Sequence, residues 1–376
     1  MSSNSVVQNI SNINDCLVWV LYPAIDTEDP DLKYYYDFQQ SFEEYKNVFH
    51  NLGIEWKWQP VLMDQINEVI SSIRTYSDSR IPIVFNLCDG DEGLGIPGIS
   101  VIDALEREQL VYTGSNRPFY ENTTSKIPMK RLFDEHEVPT SSWLEIDPEQ
   151  TDSHNIFQRL TAPLIVKPAI SAGSLGLGIK SVVHHPEELS ALLHSNQRYY
   201  KQWDLYKGGV FVEEFISGPE YTVFMVGSYL NLNQCTVYPA VERRFETSLP
   251  DTQKFLSFDR LWEFYENETP LDEEKDLWNY STVHKELQQE LKELSLKAYA
   301  AVQGEGYARI DFRQDKSTQI IKVLEVNAQC GLSADENYTS IGGILRLYNL
   351  RYDDIIMEIL KQAITKCNNL SYNYSH

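Results

Sequence analysis

Short apolar runs separated by polar stretches of helical spacing organise the first third of the chain. Cys16–Tyr22 (CLVWVLY) has the length of a buried strand. Tyr34–Leu52 carries apolar positions at helical spacing and ends at Gly53, a residue suited to a helix C-cap. Ile81–Leu87 (IPIVFNL) reads as a second strand, Ile99–Gln109 as a second helix and VYTG as a third strand. This alternation predicts a small parallel α/β lobe over residues 1–115, with a flexible tail at 1–14.

Beyond residue 115 the pattern changes. Asn122–Glu137 is helical, with Lys126 and Lys130 four apart on one face. Leu164–Pro168 and Ile179–Val183 read as strands around the glycine-rich ISAGSLGLG, and Val210–Ile216 and Tyr221–Val226 as strands around the turn SGPE. Pro239–Pro270 is long, polar and aromatic without a period, as expected of a functional loop or lid. Trp278–Gln303 reads as one long helix, Tyr307–Arg313 and Gln319–Asn327 as paired strands, and Asp353–Thr365 as an amphipathic helix. The expected domains are residues 1–115, 116–209 and 210–376.

Composition narrows the classes. The 376 residues hold 55 acidic and 32 basic side chains, a net charge of −23. That balance argues against nucleic acid or an anionic membrane as the main partner. No apolar run approaches the ~20 residues needed to span a bilayer, and the start MSSNSVVQNISNIND has neither a basic nor an apolar signal region. The five cysteines form no CxxC pair, which fits reduced thiols and a cytoplasmic location.

The strongest chemical signal is RID followed by LEVN. Alternation along a strand puts Arg309 and Asp311 on one face, and Glu325 and Asn327 on one face. A turn centred near Thr318 would bring Asp311 opposite Glu325. Two carboxylates and an amide are hard oxygen donors suited to Mg²⁺ shared with phosphates; solvated charges on a surface hairpin are the plain alternative. Lys167 leading into ISAGSLGLG joins a point charge to glycines whose N–H groups approach closely, a phosphate-holding arrangement. In VEEFISGPE, an extended segment can meet an adenine edge, and Glu220 can accept from ribose hydroxyls. Gly93, Gly95 and Gly98 match GxGxxG formally, but they follow a later strand, Pro97 interrupts them and no strand-end acid follows, so a dinucleotide site is not expected. His184-His185 is expected to face solvent.

In order along the chain, VFNLCDG, VYTGS, SK…KRLF…VPT, IVKP…GSLG, VEEFISGPEYTV, GYARIDF and LEVNAQCGL resemble the D-alanine–D-alanine ligase-like branch of the ATP-grasp superfamily over roughly residues 81–350. The resemblance implies an α/β fold of three lobes, with ATP between two antiparallel sheets beside an N-terminal parallel lobe. It implies that Lys126 and Lys167 contact ATP phosphates, and that Ser171–Gly176, with Ser174, closes over them. Glu213, Glu214, Phe215 and Ile216 would meet adenine and Glu220 the ribose. Asp311, Glu325 and Asn327 would hold two Mg²⁺ ions, for which Mn²⁺ may substitute. Arg309 and the Gly331 backbone would steady the reacting acyl group, and Arg243, Arg244 or Lys254 would reach the γ-phosphate. The implied activity joins a small carboxylate to an amine through an acyl phosphate, releasing ADP and phosphate, with homodimers common in the family. A non-catalytic ATP-binding regulator of the same fold is the alternative. Four departures touch the substrate. VLYPAIDTEDP replaces a glycine-rich turn bearing a glutamate, Gly173 replaces a serine, Asp89 a histidine, and Glu336 the serine that binds a carboxylate. They point to an amino acid or small carboxylate other than D-alanine, with Glu336 and Asp89 favouring a cationic or amine-bearing group.

Overall fold

The computed structural model describes residues 10, 12–171, 173–195, 198–200, 203–262, 268, 276–336 and 338–373. Most of the expected tail, and Ala172 in the glycine loop, lie outside the described residues.

The N-terminal elements are β1 (Cys16–Pro23), α1 (Pro30–Tyr35), α2 (Gln39–Leu52), β2 (Trp56–Val61), α3 (Ile66–Arg74), β3 (Ile81–Asn86), α4 (Ile99–Arg107) and β4 (Val111–Tyr112). They build a parallel sheet in the order β2-β1-β3-β4. Two of these elements went unread: β2 is half-buried and contains a proline, and α3 follows it closely. The single helix expected at Tyr34–Leu52 is two helices, and the second ends at Gly53 in the left-handed conformation (φ 65°). Strand alternation splits the core. Val18, Val20 and Phe85 face α2 and the C-terminal helices, while Leu17, Trp19, Leu21 and Val84 face α3 and α4.

Next come α5 (Arg117–Thr124) and α6 (Lys126–Glu135), followed by β5 (Trp143–Ile146), α7 (Ser153–Arg159), β6 (Leu164–Pro168), β7 (Val182–Val183), α8 (Pro186–Leu193), the small pair β8 (Tyr199–Tyr200) and β9 (Trp203–Asp204), and β10 (Val210–Glu214). The helix expected over Asn122–Glu137 breaks at Ser125, which is extended, and the Lys126 N–H bonds the Ala169 carbonyl at 2.8 Å. That bond seats the start of α6 against the glycine loop. Ile179–Ser181 is a turn of 3₁₀ helix rather than strand. The central antiparallel sheet runs β5-β10-β6-β7. β10 pairs with β5 and β6, so residues 210–214 belong to this central sheet.

The remaining elements are β11 (Glu220–Ser228), β12 (Thr236–Val237), β13 (Val241–Phe245), α9 (Phe258–Trp262), β14 (Trp278–Thr282), α10 (Lys285–Ala301), β15 (Glu305–Gln314), β16 (Ile321–Ala328), α11 (Ser340–Tyr348) and α12 (Tyr352–Asn373). The long helix expected from Trp278 begins as an antiparallel strand, because Trp278–Thr282 pairs with β13. The expected hairpin across SGPE also dissolves: β10 and β11 belong to different sheets. The second antiparallel sheet runs β14-β13-β11-β15-β16, with β12 on β11. Tyr221, Val223, Met225, Ala308, Ile310 and Phe312 turn one face toward α5, α6 and α10. Among the described residues no helix is long and apolar enough to cross a membrane.

Candidate active site

Alternation that buries one face of each antiparallel sheet delivers charge to the other. On the central sheet, Leu164, Val166, Val210 and Val212 pack with α7 and α8. Ile165 and Lys167, with their register partners Glu213 and Phe211, therefore take the opposite face. On the second sheet, Arg309, Asp311 and Arg313 share a face with Glu220 and Thr222 of β11.

The β15/β16 register sets Asp311 opposite Glu325 and Arg309 opposite Asn327. An irregularity between Asp311 and Phe312 lets both Val323 and Val326 reach the core while Glu325 and Asn327 keep the other side. Asp311 accepts from Thr222 Oγ1 at 2.8 Å, from Asn327 Nδ2 at 3.0 Å and from Arg309, whose Nη2 lies at 3.0 Å. Asn327 Nδ2 also reaches Glu325 Oε1 at 3.3 Å, and Lys126 Nζ lies 3.3 Å from Glu325 Oε2. Burial pushes the Glu325 carboxyl up, but Lys126 and then Arg309 outweigh it and hold it near 2. Two carboxylates and an amide on adjacent strands fit a divalent hard cation. Asn327 would present its oxygen after half a turn of the amide.

Lys167 Nζ lies 2.6 Å from Glu213 Oε1, and Lys130 Nζ 2.5 Å from Glu213 Oε2. Lys130 also donates to Thr140 Oγ1 at 2.7 Å. Burial raises the Glu213 carboxyl and lowers the Lys130 ammonium, yet two lysines on one carboxylate keep Glu213 ionised at about 2. The Glu213 side chain therefore holds the two lysines in place. Lys126 donates to the Ser171 carbonyl at 3.2 Å and to its hydroxyl at 3.1 Å, so α6 and the glycine loop meet here.

Ser174 has a left-handed backbone (φ 62°), and its hydroxyl donates to the Leu256 carbonyl at 3.0 Å. Phe258 N–H bonds the Leu177 carbonyl at 2.8 Å. The glycine loop and the expected lid are thus joined, although most of residues 263–270 lies outside the described residues. Of the three lid cations considered, Arg244 pairs with Glu242 and Lys254 with Asp251, both near the surface. Arg243 turns inward against Glu220 and Tyr280.

Glu214 accepts from Thr161 N–H at 2.9 Å. The Phe215 ring meets Phe255 at 6.0 Å, and Phe255 packs with Ile165 and Val182. The Ile216 N–H has no partner among the described residues, while its carbonyl accepts from Arg313 Nη1 at 2.8 Å. A free N–H at a strand end suits an acceptor on a planar base. Glu220 is held by Arg243 and Arg313 together; burial raises its carboxyl, but both arginines pull it below the usual range.

At the other end, Gln329 donates to the carbonyls of Asn86 at 3.1 Å and Cys88 at 3.0 Å, docking the loop after β16 onto the carboxyl edge of the parallel sheet. Gly331 N–H has no partner among the described residues. Asp89 and Glu336 are solvent-accessible and have no ion-pair partner among the described residues. Asp89 nonetheless sits crowded by protein, and that desolvation, against only its own N–H, raises its carboxyl to about 7. Cys88 and Cys330 are buried and their thiols are pushed up, Cys330 to about 12, so neither is a ready nucleophile. At the formal GxGxxG, Glu92 accepts from Gly98 N–H and Ser100 N–H at the start of α4, filling the place a phosphate would need. His184 and His185 are exposed or nearly so.

Lys130, Phe255 and Arg313 went unread as site residues. Only Arg313 carried a local signal, since it continues the alternation of Arg309 and Asp311.

A family model described as D-ala D-ala ligase C-terminus matches residues 132–361. D-alanine--D-alanine ligase B of Chromobacterium violaceum is 26% identical over 278 residues, covering 74% of this chain and 78% of its own. Two crystal structures of D-alanine--D-alanine ligase from Bacillus anthracis, one complexed with ATP, align with a TM-score of 0.64 at 17% identity. The alignments cover 94% of this chain and 98% and 99% of theirs. The fold is that of the ATP-grasp enzymes.

Proposed function

Because the chain belongs to the D-alanine–D-alanine ligase family, we propose that it is an ATP-dependent ligase joining a small carboxylate to an amine. The observation that carries this reading is the gathering of Lys126, Arg309, Asp311 and Asn327 about Glu325, with Lys167 of the central sheet close enough to draw down the same carboxyl. A substrate carboxylate oxygen attacks the γ-phosphorus of ATP, giving an acyl phosphate and ADP. The amine nitrogen then attacks the acyl carbon, loses a proton and expels phosphate.

The chain's own groups divide this work. Lys126 and Lys167 neutralise phosphate oxygens, a transfer that depends mostly on positioning and charge. Asp311, Glu325 and Asn327 would hold magnesium, which when bound would neutralise phosphate charge. Arg309 and the Gly331 N–H would steady the acyl oxygens. The glycine loop and the lid, joined through Ser174 and Leu256, keep water from the acyl phosphate.

The second part of the reading concerns substrate. The relatives are named for D-alanine. In this chain Asp89, Gly173 and Glu336 stand where the family has a histidine and two serines, so the pair joined differs from two D-alanines, and a cationic or amine-bearing group fits best. ADP release over a panel of amino acids and small acids, with mass spectrometry of products, tests both parts. Robust turnover with D-alanine alone sinks the substrate reading, and no ADP release or amide with any pair sinks the ligase reading.

A further inference from the structure

We propose that Glu220 accepts from only one ribose hydroxyl of the nucleotide, because Arg243 and Arg313 hold its remaining acceptor positions. The inference rests on the nucleotide reading above. A carboxylate offers about four lone-pair positions, and a ribose presents two neighbouring hydroxyls that an unencumbered carboxylate can take one on each oxygen. Here Oε2 already receives Arg313 Nε at 3.1 Å and Arg313 Nη2 at 2.9 Å. Oε1 receives Arg243 Nη1. One position, on Oε1, stays open.

Neither arginine is placed to give way. Arg313 is 4% exposed and lies over the Phe215 ring at 5.2 Å. Its Nη1 bonds the Ile216 carbonyl at 2.8 Å, and its Nη2 also meets the Lys254 carbonyl. Releasing Glu220 would loosen the base-meeting segment and the lid together. Arg243 donates to Tyr280 OH at 3.0 Å and stacks on that ring at 5.5 Å. Arg313 is thus a positioning residue: it turns Glu220 so that a single acceptor is left for the sugar.

The test is equilibrium binding of ATP, 2′-deoxy-ATP and 3′-deoxy-ATP to the full-length protein, with magnesium. One deoxy analogue should bind within about threefold of ATP and the other about tenfold or more weaker, the loss of one hydrogen bond to a charged group. In Arg313→Leu, which frees Oε2, the tolerated analogue should lose its parity with ATP. Equal losses of tenfold for both analogues in the unmodified protein would mean that Glu220 takes both hydroxyls, and parity of all three that it takes neither; either overturns the proposal without touching the ligase reading. Failure of all three nucleotides to bind overturns both. The comparison in the unmodified protein stands even if Arg313→Leu does not fold.

Discussion

The two ends of the cleft are built on opposite electrostatic terms. At the proposed phosphate end each charge has an opposite charge beside it: Lys126 with Glu325, Lys130 and Lys167 with Glu213, Arg309 with Asp311. At the substrate end Asp89 and Glu336 stand without an ion-pair partner among the described residues. The difference teaches where chemistry is fixed and where it is free. Phosphoryl transfer needs a pre-set, balanced constellation, and a substitution there removes the counter-charge of a neighbour, most deeply buried at Glu213 and Lys130. A substrate pocket can exchange a histidine or serine for a carboxylate at little structural cost, and so carries the specificity.

The strongest way to break the comparison is at the paired end. Asp311→Asn and Glu325→Gln should each reduce ADP release by about 100-fold or more while leaving the thermal midpoint nearly unchanged. Near-native turnover in both would remove the paired carboxylates from the metal assignment. Glu213→Gln leaves two lysines without their shared counter-charge, one of them fully buried, and should destabilise the fold by about 3 kcal/mol in chemical denaturation.

Acid tests the same pairing with the sign set by Glu213. Its folded value of about 2 lies below the unfolded one, so its contribution is complete above roughly pH 4.5 and is lost as pH falls toward 2. Urea midpoints measured between pH 5 and 3 should fall less steeply in Glu213→Gln than in the unmodified protein. At the unpaired end the effect is smaller and runs the other way. If Asp89 meets a cationic substrate, KM for that substrate should drop by severalfold as pH rises through about 7, when the carboxyl ionises. Asp89→Asn should flatten that dependence; an unchanged profile would place the cation elsewhere. The slightest effect expected is for Ser174→Ala, which removes one hydroxyl bond to Leu256 and should raise KM for ATP by a few fold, through about 1 kcal/mol.

Much of the cleft was legible in the sequence because it is written in strand alternation. Arg309, Asp311, Glu325 and Asn327 needed only a period of two and a turn centre to converge. What alternation cannot encode is which distant segments meet. Lys130 and Glu213 are 83 positions apart, so the ion pair that steadies Lys167 had no local trace. Edge strands were also obscured: Trp278–Thr282 is partly exposed and polar, with a single buried tyrosine, and its pattern merges with that of α10. β2 presents four half-buried residues and a proline, which no apolar run announces.

One core joins the parallel sheet to the second antiparallel sheet and the last two helices, with Val20, Phe85, Phe224, Tyr307 and Ile356 in a single cluster. The central sheet has its own, built from Ile146, Val166, Val212 and Leu189. The β15 strand that bears Arg309 and Asp311 thus roots in the core shared with the parallel sheet, while Lys167 rides on a strand with a core of its own, so substitutions in the two cores should simply add in their effects on stability.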